Sequence, residues 1–124
     1  MITLNDNKPV FLQIKAWIED HILRGEWQQG EQLPSVRELA ASFGVNPNTV
    51  ARTYERLTME GTAYSTKGVG LFVATGALEN IQTRRREEFF ATTLPSFIEQ
   101  MQLLGITPED ITKLYNSKND ENKQ

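Results

Sequence analysis

The segment from residue 44 to 57, GVNPNTVARTYERL, places amide, hydroxyl and guanidinium side chains along a predicted helix. Asn46 suits the N-cap and Pro47 suits the first helical position, so the helix is expected to begin at this point. At 100° per residue the apolar residues share one face: Val50, Tyr54 and Leu57. The other, outward face carries the polar groups: Asn48, Thr49, Arg52, Glu55 and Arg56.

These outward groups have the chemistry of DNA recognition. Asparagine can bind adenine through two hydrogen bonds in the major groove, and arginine can bind guanine or phosphate. The unpaired N–H groups at a helix N-terminus also suit phosphate. We therefore interpret Asn48, Thr49 and Arg52 as candidate reading groups. For Asn46 a capping role competes with DNA contact, and Arg56 can equally belong to a solvated helix face.

The neighbouring elements form the frame that must position this helix. The spacing of apolar residues predicts a first helix at about 9–24. Ser35, with Glu38 three residues later, predicts a capping box at the start of a second helix. Gly44 is expected to end this second helix. Two helices joined by so tight a turn make a helix-turn-helix. Arg37 lies in the first turn of the second helix, where the helix dipole disfavours a cation, and this placement indicates function.

After residue 61 the apolar residues no longer recur at helical spacing but form short runs, and this change predicts a β-hairpin. Two short apolar runs flank KGVG, whose glycines suit a tight turn. A hairpin directly after a helix-turn-helix is a wing. Lys67 at its tip is either a phosphate contact or a polar turn residue.

The C-terminal part is expected to be helical, with an apolar seam spaced 4, 3, 4, 3, which is the heptad pattern of a helix interface. Pro95 falls inside this seam, and we favour a kinked helix over two separate helices. Thr107 and Pro108 begin a final helix. A symmetric partner is the simplest way to cover the apolar residues, which are Phe90, Leu94, Phe97, Met101, Leu104, Ile111, Leu114 and Tyr115.

The fold class is thus mainly α with a small β-hairpin: an N-terminal winged helix-turn-helix followed by a short α-helical dimerisation region. We assign 1–76 to the DNA-binding domain and 77–117 to the helical tail, and we expect 118–124 to be disordered.

Composition limits the other classes of function. The 124 residues include no cysteine and one histidine, His21, so a thiolate metal site is excluded and a catalytic Ser/His/Asp set or other metal site is not expected. The N-terminus lacks the pattern of a signal peptide, and no apolar run is long enough to cross a membrane. We expect a cytoplasmic protein that is not an enzyme and has no cofactor and no membrane partner. The net charge of −3 means that any anion-binding surface is local.

The stretch GEQLPSVRELAASFGVNPNTVARTYERLTMEG, followed by KGVGLFV, closely resembles the GntR family of bacterial transcription regulators. The short helical tail is similar to that of the YtrA subfamily. The resemblance implies a winged-helix homodimer that binds an inverted-repeat operator in double-stranded DNA. We expect the protein to act as a repressor, although the sequence does not distinguish repression from activation. The resemblance also implies DNA contacts from Arg37, Asn46, Asn48, Thr49, Lys67 and Gly68. Many members carry basic residues where this chain has Pro47 and Ala51, and here Arg52 is inferred from helix geometry to share their role.

Two alternatives stay open from the sequence. The exposed helix of the winged domain could bind protein instead of DNA, although such a helix would more commonly expose apolar anchors. A ligand-responsive regulator could hold an unknown small-molecule effector between the tail helices, although two helices offer little volume for such a site.

Overall fold

The computed structural model describes residues 3–122, which form two compact units, one up to Arg84 and one from Arg85 onward. The first unit contains α1 (Val10–Leu23), α2 (Val36–Phe43), α3 (Pro47–Met59), β1 (Ala63–Thr66) and β2 (Gly70–Val73). The helix α4 (Ala77–Glu88) contributes to both units. A π-helical segment (Phe89–Thr93), α5 (Leu94–Leu104) and α6 (Pro108–Asn122) complete the chain. The predicted mainly helical fold with one hairpin is confirmed.

Local capping signals determine where α2 and α3 begin and end. The Glu38 N–H donates to Ser35 Oγ at 3.1 Å, and the Ser35 N–H donates to Glu38 Oε1 at 3.3 Å, which confirms the predicted capping box. Gly44 ends α2 in the left-handed conformation, with φ of 67°. Two residues later, Asn46 caps α3 and Pro47 occupies its first position.

The core of the first unit is built where α1 and α2 pack on α3, with β1 and the start of α4 closing it. The buried apolar side chains include Ile14 and Ile18 of α1, Leu39 of α2, Val50 and Leu57 of α3, Ala63 of β1, Val73 of β2 and Ile81 of α4. Because one face of α3 is committed to this core, its other face is left to solvent.

The two strands pair in antiparallel register, from Ala63 opposite Val73 to Thr66 opposite Gly70. Gly68 has φ of 79°, and the Val69 N–H donates to the Thr66 carbonyl at 3.0 Å. A positive φ at the third residue is what a type II turn requires, so glycine there is a backbone requirement. The predicted wing is therefore present, with Lys67 and Gly68 at its tip.

The boundary between the compact units falls after Arg84 instead of after residue 76. Ala77 and Ile81 of α4 are buried in the core of the first unit, so the first turns of α4 pack as part of the winged domain.

The helical backbone continues past Pro95, through a π-helical segment instead of a simple kink. The Leu94 N–H donates to the Phe89 carbonyl, five residues back. Proline lacks an N–H and its ring crowds the carbonyl four residues earlier, and the wider π turn accommodates both effects. The extra residue in this turn also shifts the angular phase of Phe90 relative to Leu94, so the predicted seam does not run at constant phase across it.

The last helix is longer than expected. We predicted disorder over 118–124, yet α6 extends to Asn122, while residues 123–124 lie outside the described residues. Thr107 and Asp110 cap it reciprocally, at 3.0 and 3.3 Å. Once a helix is nucleated, each further residue adds a hydrogen bond, and no glycine or proline follows Pro108 to stop it.

A partly buried charge network joins α1, the C-terminal end of α3 and α4. Lys15 Nζ lies 2.8 Å from Glu60 Oε1 and 3.4 Å from Glu19 Oε2. Arg84 Nη2 lies 3.2 Å from Glu19 Oε2, and Arg84 Nη1 lies 3.8 Å from Glu60 Oε2. Glu19 is only 3% exposed, so its negative charge depends on these cations.

Lys15→Met should lower the free energy of unfolding by about 2–3 kcal/mol, because two partly buried carboxylates lose a shared cation. Urea unfolding followed by circular dichroism measures this change. Lys113→Met, at an exposed position of α6 on the side opposite Leu114 and Tyr115, is the matched control and should change stability by less than about 0.5 kcal/mol. Equal stability of the two variants would show that the ion pairs of Lys15 contribute nothing to stability.

Candidate nucleic-acid interface

Helix α3 divides into a buried face and an outward face, as its sequence pattern predicts. Val50, Tyr54 and Leu57 are buried against the core. Asn48 and Arg52 are exposed, and Thr49 is half-buried. The structure therefore brings the three candidate reading groups of the first two turns onto the accessible side of α3.

Asn46 has a defined structural task at the start of α3. Its Oδ1 accepts a hydrogen bond from the Asn48 N–H at 2.8 Å. This bond satisfies one of the unpaired N–H groups at the helix N-terminus. The capping interpretation of Asn46 is confirmed, and its DNA contact stays a prediction.

Arg52 lies over an aromatic ring from another helix. Its Cζ is 4.0 Å from the centroid of the Phe11 ring, and the Cζ of Arg56 is 5.6 Å from the same centroid. The ring belongs to the first turn of α1, and Phe11 is 6% exposed. Phe11 falls within the first helix that the apolar spacing predicts, and no local sequence signal links it to α3.

Arg37 on α2 and Lys67 at the wing tip are exposed cations on the two elements that line the groove beside α3. Among residues 3–122, neither side chain has a carboxylate within ion-pair distance. A cation that is not paired within its own chain can give its full charge to a phosphate. These two residues and α3 together form the candidate DNA-facing surface.

An open groove of about 670 Å³ separates α3 from the wing. Val36, Tyr54, Met59, Val69 and Leu71 provide its apolar lining. The Tyr54 hydroxyl donates to the Pro34 carbonyl at 2.5 Å. Burial, with a contribution from the nearby Glu38 carboxylate, raises the pKa of Tyr54 far above its usual value, so the hydroxyl remains a donor. This bond attaches the segment before α2 to the reading helix.

The described residues contain no group of three or more His, Asp or Glu side chains that could hold a metal ion. His21 stacks on Trp27 with ring centroids 4.7 Å apart, and its Nδ1 lies 2.9 Å from the Trp17 carbonyl oxygen. These contacts give His21 a packing role. Within 3–122, none of the helices combines the length and apolarity needed to cross a bilayer.

Comparison with known proteins finds one matching family and several similar bacterial regulators. The family described as "Bacterial regulatory proteins, gntR family" matches residues 11–73. The chain is 37% identical over 105 residues to the HTH-type transcriptional regulator YhcF of Bacillus subtilis, covering 85% of each protein. It is 38% identical over 69 residues to the HTH-type transcriptional repressor YtrA of the same species, covering 56% of this chain and 53% of YtrA. The solved structure of a GntR family transcriptional regulator from Listeria monocytogenes superposes with a TM-score of 0.73 at 30% identity, covering 92% of this chain and 98% of that chain.

Proposed function

The chain belongs to the gntR family and is a YtrA-like transcriptional regulator with a DNA-binding winged helix, and from this premise we propose that it is a homodimeric repressor of an inverted-repeat operator. The observation that carries the proposal is the outward face of α3, where Asn48 and Arg52 are exposed beside the helix N-terminus. In a helix-turn-helix, the N-terminal residues of the second helix contact the base edges.

The proposed roles follow from position and chemistry. Asn48 and Thr49 read bases, because they lie in the first turn of α3. Arg37 and Arg52 bind phosphate or guanine from the two helices of the motif. Lys67 and Gly68 at the wing tip bind the backbone of the duplex, where a glycine allows close approach.

The tail supports the homodimer part of the proposal. Across the described residues of α5 and α6, none is buried. Large apolar side chains are strongly exposed, including Phe97 at 44%, Leu104 at 71% and Leu114 at 68%. Each such side chain gains about 1.5–3 kcal/mol when it is removed from water, so a second copy of the tail is a favourable cover. The matching residues of two copies would form a symmetric interface.

Repression is proposed because YtrA carries that description and because a dimer on an operator blocks access to the DNA beneath it. The test begins with selection of duplexes from a random pool by the purified full-length chain. The expected result is an inverted repeat whose insertion at a promoter lowers transcription in a reconstituted assay with bacterial RNA polymerase. Enrichment of no sequence would contradict operator binding, and an increase in transcription would contradict repression.

Lys67→Ala should weaken binding to operator and to unrelated duplexes by similar factors, because a phosphate contact carries no sequence information. The dependence of log K on log salt concentration should become shallower by about 0.9 for each phosphate that is no longer neutralised, and so by about 2 for a dimer with two wings. Fluorescence anisotropy over a range of salt concentrations measures this slope. Lys113→Ala, at an exposed position of α6 on the side opposite Ile111, Leu114 and Tyr115, is the control that should leave the slope unchanged. If Lys67→Ala gives the wild-type slope, Lys67 is only a turn residue.

A further inference from the structure

The ring of Phe11 occupies a position beneath two arginines of the reading helix. Arg52 and Arg56 lie one helical turn apart on α3, and their guanidinium carbons are 4.0 and 5.6 Å from the ring centroid. The backbone of Phe11 is held as well, because the buried Thr53 Oγ1 donates to the Phe11 carbonyl at 2.9 Å. The ring is therefore a fixed surface on which the two side chains rest.

This arrangement addresses two costs of using arginine for recognition. A free arginine side chain populates many rotamers, and ordering it on DNA costs conformational entropy. Two guanidinium groups one turn apart also repel each other. The negative face of an aromatic ring attracts a cation stacked on it and leaves the N–H groups at its edge free to donate. A guanidinium held in this way is ready to bind before DNA arrives.

We propose that Phe11 is a positioning residue for DNA recognition: its ring orients the Arg52 guanidinium toward the duplex. The proposal rests on the proposed function, in which Arg52 contacts DNA. It gives α1, which carries none of the expected DNA contacts, a defined part in operator affinity.

The test is a double-mutant cycle in the full-length chain. Phe11→Leu keeps an apolar side chain and the backbone carbonyl but removes the aromatic face, and it should weaken operator binding about 3- to 10-fold. In the Arg52→Ala background the same substitution should cause no further loss, because the group that it positions is absent. Phe11→Tyr keeps the aromatic face and should bind within about twofold of wild type. An equal loss from Phe11→Leu in both backgrounds would overturn the proposal.

Phe43→Leu is the matched control. Phe43 is half-buried and its ring packs edge-on against Trp17, 5.1 Å between centroids, so the same chemical change there removes packing alone. It should leave operator affinity at the wild-type value. If Phe43→Leu weakens binding as much as Phe11→Leu does, loss of packing explains both results and the proposal is wrong.

A measurement without DNA separates this proposal from the proposed function. In the free protein, the Arg52 Nε–H proton should show a ring-current shift in NMR spectra that Phe11→Leu abolishes. Absence of that shift in the wild type would overturn the stacking itself. If the wild type binds its operator and Arg52→Ala does not weaken binding, the positioning role fails while the proposed function stands. If the wild type selects no operator, both fail.

Discussion

Phe97→Asp should convert the proposed dimer to a folded monomer and weaken operator binding about 100-fold or more. Phe97 lies on α5 with 44% of its surface exposed, and neither α5 nor α6 buries any of its described residues. In a symmetric tail interface, the substitution places two uncompensated carboxylates in an apolar contact, which costs far more than the loss of packing. A monomer has one DNA-binding domain, so it loses the gain in effective concentration that comes from linking two such domains on two half-sites.

Sedimentation velocity at micromolar concentration measures the first effect, and anisotropy with the selected operator measures the second. Ser96→Asp introduces the same charge at the adjacent exposed position outside the apolar seam, and this variant should remain a dimer with wild-type affinity. A wild-type protein that sediments as a monomer would remove the basis for an inverted-repeat operator. A Phe97→Asp variant that remains dimeric would place the interface elsewhere.

Arg37→Ala should weaken operator binding by about 1–3 kcal/mol, the usual effect of removing a direct arginine contact to a base or phosphate. Arg37 is exposed in the first turn of α2, and its charge has no carboxylate partner among residues 3–122. Because no such ion pair is broken by the substitution, the decrease in affinity reports on DNA contact. Arg24→Ala is the matched control, since Arg24 is exposed but pairs with Glu26 at 2.8 Å. It should bind the operator like wild type.

Asn48→Ala should change sequence preference more than it changes non-specific affinity, because an amide distinguishes bases by its paired donor and acceptor. Binding to the selected operator should fall, while binding to unrelated duplexes should stay near the wild-type value. Asn119→Ala, on the exposed α6, serves as the control. If both Arg37→Ala and Asn48→Ala bind the operator like wild type while they remain folded and dimeric, the assignment of the DNA-facing surface is wrong.

The elements of the winged domain were predictable because their signals are local. Ser35 with Glu38, and Asn46 with Pro47, begin two helices through contacts within a few residues, and the structure has these caps. The turn of the wing was also predictable from local sequence. Gly68 has a positive φ, and glycine is the residue that adopts such a φ without strain. Such signals need no knowledge of the rest of the chain.

What the sequence did not predict depends on contacts between distant segments. Arg84 reaches Glu19, 65 residues earlier, and no pattern along α4 distinguishes it from the arginines that follow. Phe11 was recognisable as an apolar helix residue, but its contact with Arg52 requires the packing of α1 on α3. Pro95 indicated that the helix is irregular at this point. A π turn and a kink can both accommodate a residue without an N–H, so the sequence alone did not distinguish them. In each case, the tertiary arrangement decides the outcome.

The stoichiometry of the operator complex directly tests whether the protein binds its operator as a dimer. Sedimentation of a labelled operator duplex with the full-length chain, at concentrations well above the dissociation constant, counts the chains on each duplex. We expect two chains per duplex and a large loss of affinity when either half-site is scrambled, because two α3 helices read the two half-sites together in a dimer. Saturation at one chain per duplex, with affinity unchanged by scrambling one half-site, would contradict this expectation.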